Sequence, residues 1–224
     1  MGNSESKQPM GTLPKNLMLP PRFEAFHASG WTSDIQLGTS PGQPMYTIVV
    51  RKGGTGQLEL YQGAGSQSPC LAVLESRNMI KSTFNLRLAN DQSYEIKPTH
   101  MMSEGFKFTV PAGYEGRPEE FAWHSASKSD VRNLGAATTF AMKLTRESGP
   151  RKGEIVALWS HPELKEHKLH SAAVFGFCGD ANMLGVEFVI AAVLTFIQIY
   201  QTRIMTIMMS TTNSGAAGAA IAAS

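Results

Sequence analysis

The chain has 224 residues, 42% of them hydrophobic, with 20 basic and 18 acidic side chains and a net charge of +2. That length suits one domain with tails, or at most two small ones, and so balanced a charge gives no electrostatic case for nucleic acid as a partner. Charged residues make up only 17%, and 21 glycines with 12 prolines favour many turns and short strands over long helices.

The first residues read Met1-Gly2-Asn3-Ser4-Glu5-Ser6-Lys7. With Met1 removed, Gly2 is exposed and Ser6 takes the Ser/Thr position of the myristoylation pattern. One myristoyl chain gives only marginal, reversible membrane binding, so a second signal is needed. Residues 1–30 hold Lys7, Lys15 and Arg22 against Glu5 and Glu24, and no cysteine for a second acyl chain. The second signal is therefore expected in the folded part or its C-terminal helix. Pro9, Pro14, Pro20 and Pro21 make residues 1–30 read as a disordered tail, with a short helical turn near 23–27.

From residue 31 onward, short β-like runs alternate with turn clusters. The runs are 45–51, 57–61, 70–75, 83–88, 93–97, 105–110, 120–124, 139–144, 154–160 and 169–177. In 105–110, Phe106, Phe108 and Val110 fall on one face. Ten runs spaced about a dozen residues apart suit a sandwich or barrel.

The pattern then changes. Residues 186–214 contain neither Gly nor Pro, too long a stretch for one strand. A helix over 183–209 is expected, capped by Asp180 or Asn182. Thr195, Gln198, Thr202 and Thr206 form a narrow polar seam on it, and the other faces are apolar. Such a helix must be buried in protein or in lipid. Glu187, Gln198, Gln201 and Arg203 interrupt the stretch and favour a protein surround. The order of elements makes the expected fold mainly β: a closed antiparallel β-barrel of ten to twelve strands enclosing a hydrophobic C-terminal helix. The domain runs over 31–209, followed by a flexible low-complexity tail at 210–224. The alternative puts helix 184–209 in the bilayer, as a tail anchor.

Segment 153–160, the run 168–177 and the helix 183–204, in that order, resemble the tubby C-terminal superfamily. That group includes tubby proteins, phospholipid scramblases and plant LURP-one-related proteins. The resemblance is architectural, covers residues 31–209 and carries no residue-by-residue motif. It implies a β-barrel wrapped around the C-terminal helix, and lipid-binding or adaptor work more often than catalysis. Tubby domains bind phosphoinositides through basic surface side chains. The densest basic region here is Lys143, Arg146, Arg151 and Lys152, which would suit anionic phospholipid head groups.

Other constellations point to no reaction. His161, His167 and His170 match no zinc spacing and read as a polar loop. Gly53-Gly54-Thr55-Gly56 lacks the Gly-Lys-Ser/Thr ending of a phosphate loop. Trp123-His124-Ser125 reads as a strand end, and no Gly-x-Ser-x-Gly elbow exists. Cys178 reads as a buried or idle thiol. No catalytic residue, metal or cofactor is assigned. Two distant cysteines, Cys70 and Cys178, with no apolar leader and no glycosylation sequon, favour a reducing, intracellular location; with Gly2 acylated, the expected place is the cytoplasm, peripheral on the cytosolic face of a membrane.

Overall fold

The computed structural model describes residues 10–28, 34–51, 56–65, 67–78, 82–100, 105–113, 115–134, 138–162 and 171–221. Twelve short segments become strands: β1 Arg22–His27, β2 Ile35–Gly38, β3 Tyr46–Arg51, β4 Gln57–Gln62, β5 Cys70–Asn78, β6 Thr83–Leu88, β7 Ser93–Pro98, β8 Phe106–Ala112, β9 Arg117–Ser125, β10 Thr138–Arg146, β11 Ile155–Pro162 and β12 Ser171–Phe177. Each pairs antiparallel with the next, and β1 pairs with β12, so the sheet closes on itself. Closure removes the exposed edges that an open sheet would offer to other chains.

Alternation decides which side faces in. In β6, Phe84, Leu86 and Leu88 are buried while Thr83, Asn85 and Arg87 are half-exposed. In β8, Phe106, Phe108, Val110 and Ala112 point inward, as the sequence pattern requires. The interior they line is filled by α2, Val186–Ile221. Within it, every residue from Phe188 to Gln201 is buried. Phe188 and Phe196 meet rings from the wall, at 4.7 Å from Phe121 and 5.1 Å from Trp159. The expected barrel around a helix is therefore present.

Because neighbours alternate in direction, the barrel has two distinct mouths. At the proximal mouth β1 begins, β12 ends and α2 enters. At the distal mouth β1 ends, β11 ends and α2 leaves. A 3-10 turn, Ala181–Met183, leads into the helix. Asp180 makes no side-chain capping bond. Instead the first helical bond runs from Val189 N to Gly185 O, and Gly185 sits at φ +118, a conformation only glycine takes without strain. The expected cap at Asp180 or Asn182 is thus replaced by glycine geometry at Gly185, Asn182 lying inside the 3-10 turn.

Three boundaries differ from expectation. Residues 22–27 are not part of a tail or a helical turn but strand β1, with Phe23 and Ala25 buried. The period-two pattern of Arg-Phe-Glu-Ala-Phe-His, paired on both sides, outweighs the preceding prolines. Residues 10–19 also belong to the folded unit: Gly11 N donates to Cys70 O at 2.8 Å, and Leu17 and Leu19 are buried against the main core at the proximal mouth. Finally, α2 does not stop at 209 but continues as helix to Ile221. A helix already nucleated inside the barrel extends at little cost, even through poor formers.

Outside the wall, α1 (Lys128–Val131) opens with a capping box between Ser127 and Asp130. Val131 and Leu134 then pack on Ala141 and Leu158 as a small outer cluster over β10 and β11.

Candidate functional site

The barrel interior is not a ligand cavity, since α2 occupies it. Its polar seam grades from buried to wet. Thr195 is buried and accepts a hydrogen bond from Trp123 Nε1 at 2.8 Å, which ties helix to wall. Gln198 is buried, and its amide reaches Thr202 Oγ1 at 3.4 Å. Thr202 and Thr206 are exposed. The seam thus points at the distal mouth.

That mouth brings together residues far apart in sequence. His27 ends β1, His161 lies near the end of β11, and Tyr200 reaches both from α2. His27 Nε2 lies 2.9 Å from the Tyr200 hydroxyl, and the His161 ring stacks on Tyr200 at 5.9 Å. Arg203 lays its guanidinium 3.6 Å from the centre of the Phe140 ring, a cation–π contact. Burial pushes the Tyr200 phenol up, so it keeps its proton at physiological pH. Burial, and then the neighbouring His161, hold the His27 imidazole below its ordinary value of 6.5.

The direction of that shift fixes a pH dependence. An unfolded chain takes up a proton at His27 as pH falls through 6.5, while the folded barrel resists it. The stability associated with neutral His27 is complete above that pH and is lost as pH falls below it. Melting temperature should therefore drop between about pH 7.5 and about pH 5.5, and drop less in His27→Gln. Parallel curves for the two proteins would refute this assignment.

The basic region is divided by the fold. Lys143 Nζ lies 3.2 Å from Asp130 Oδ2, and the Asp130 carboxyl is held below its usual range first by the Ser127 backbone N–H, with Lys143 adding to it. Arg146 is buried and ion-paired to Glu119 and to Glu154, the latter at 2.7 Å. Its expected role as a head-group contact is corrected: the guanidinium is spent holding β9, β10 and the β10–β11 hairpin together. Arg151 and Lys152 are exposed at the hairpin tip, with Arg151 3.5 Å from Glu154. Beside them, burial works against ionisation of Glu147, but bonds from Thr145 and His124 outweigh it and hold that carboxyl low.

The chain matches no protein-family model, no curated protein and no solved structure.

Among the described residues, no group of three His, Cys, Asp or Glu side chains is placed to hold a metal ion. Gly2, His167, His170 and Gly53 to Thr55 lie outside the described residues. The Cys70 thiol is pushed up to about 11 by burial and by Glu59, and burial raises Cys178 as well, so neither ionises readily. A polar cleft of about 360 Å³ lies where β7 and β8 part, lined by Tyr94, Glu95, Lys97, Lys107 and Glu120. Its lysines are already paired, Lys97 with Glu95 at 2.8 Å and Lys107 with Glu120 at 3.6 Å. The mouth cluster of His27, His161 and Tyr200 had no local sequence signal, because barrel closure alone joins β1 to the far end of the chain.

Proposed function

We propose that the protein is a non-enzymatic, membrane-associated lipid-binding or adaptor protein of the tubby-like kind, held at the cytosolic face of a membrane by an acyl chain on Gly2. The observation that supports this best is the filled barrel. With α2 occupying the interior, the outer wall and the two mouths are the surfaces left for recognition. Arg151 and Lys152, exposed on the β10–β11 hairpin, are the remaining candidates for contact with anionic head groups.

The alternative, a phospholipid scramblase-like or tail-anchored membrane protein with helix 184–209 in the bilayer, requires the helix to leave its barrel for lipid. Val186–Ile204 is long and apolar enough to cross a bilayer by composition, but 78% of that window is buried inside the protein. Extracting it would expose the inner faces of all twelve strands, at roughly 1.5–3 kcal/mol for each large apolar side chain.

The test is membrane partition in cells. Gly2→Ala should move the protein from the membrane fraction to the soluble fraction, because the myristoyl contribution is lost. Unchanged partition would remove acylation from the account. Material of that variant that still pellets after alkaline carbonate would argue for the inserted helix instead.

A further inference from the structure

We propose that the part of α2 beyond the barrel, residues 205–221, is a second membrane contact lying against the head-group boundary of a bilayer. The inference rests on the acylation reading above and supplies what that reading lacks, since one myristoyl chain anchors only marginally.

Three observations converge on it. First, the helix is longer than its container. Val186–Ile204 takes up the barrel, and the helix then continues to Ile221, about 25 Å further at 1.5 Å per residue. Second, all 20 basic and 18 acidic residues of the chain lie before residue 204. A helix that stands off a folded domain into water normally carries a charged face. This one carries none, and it opens with Met205-Thr206-Ile207-Met208-Met209. Third, the rim it leaves through carries half-buried Arg203 over Phe140, a cationic side chain able to reach head-group level.

At the opposite mouth Met18 and Met183 are exposed, but as isolated side chains. The Ser210-Thr211-Thr212-Asn213-Ser214 stretch makes the distal helix too polar for a full span, which limits the contact to the boundary region.

The test uses the full N-myristoylated chain in flotation with phosphatidylcholine vesicles containing a minor share of phosphatidylserine. Thr206 is exposed and both positions lie past the buried stretch that ends at Gln201, so a Thr206→Asp/Ser210→Asp variant adds two charges to this segment alone. It should lower vesicle binding by about fivefold or more, since buried carboxylates are costly at a bilayer, while its melting curve matches wild type. Met183→Asp at the proximal mouth should bind as wild type does. If Gly2→Ala releases the protein but the double variant binds normally, the second-contact inference fails and the acylation reading stands. Loss of binding with Met183→Asp alone would move the contact to the other mouth and overturn the inference. If acylated wild type does not float, both readings fail. A double variant that changes only self-association in solution, with vesicle binding intact, would assign the segment to a second copy of the chain and overturn the proposal.

Discussion

Replacing Phe196 with alanine lowers the unfolding free energy by about 3–5 kcal/mol. The side chain is fully buried on α2, with its ring 5.1 Å from Trp159 and 5.2 Å from Phe175 on the opposing wall. Truncation removes the transfer energy of the ring and leaves a hole that a closed sheet cannot collapse into, because its hydrogen-bond ladder fixes the diameter. In a domain of this size each kcal/mol is worth about 2–4 °C of melting temperature. Thr202→Ala, an exposed position on the same helix, should change stability by no more than about 0.5 kcal/mol. Thermal or urea unfolding of the two variants checks both numbers, and equal, small effects would mean that α2 is not the core.

Arg146→Met costs about 2–4 kcal/mol, at the lower side of what breaking a buried ion pair costs. The Arg146 side chain is only 3% exposed, whereas its partners Glu119 and Glu154 are 18% and 39% exposed. Those carboxylates regain some water when the guanidinium goes, which keeps the loss below the full penalty. Arg146→Met/Glu119→Gln should recover part of it, since one stranded charge is removed with its partner. Denaturant titration of the two single variants and the double closes the cycle. Strict additivity would show that the pair is not coupled.

Much of the barrel was legible because its wall obeys period two and its core obeys helical continuity. Phe106, Phe108 and Val110 alternate so cleanly that their inward facing could be read directly. The helix was legible from the absence of Gly and Pro over 186–214. β1 and β2 were not, because one follows Pro20-Pro21 and the other is four residues long, so their identity comes from pairing with partners elsewhere. The far end of α2 was missed for a different reason. Thr211, Asn213, Gly215 and Gly218 are weak helix formers, and their helicity is inherited from the turns before them. The distal mouth was beyond local reading altogether: His27 and Tyr200 stand 173 residues apart. The basic region shows the converse hazard. Sequence density grouped Lys143, Arg146, Arg151 and Lys152, but strand alternation and the hairpin sent them to different neighbours.

Burying α2 inside the sheet also fixes an order of events during synthesis. The wall is complete by Phe177, yet its inner face has nothing to pack on until the residues through Tyr200 have been made. β1, among the first strands translated, must likewise wait for β12 before it gains its second partner. Closure and core formation are therefore both long-range steps, the kind that slow folding most. A ribosome-bound chain that has not yet emitted β12 would be a hollow, apolar-lined sheet with two open edges, the form most exposed to aggregation. The same helix that leaves no room for a ligand in the mature barrel makes the newborn chain unable to hide its interior until the residues through Tyr200 have emerged.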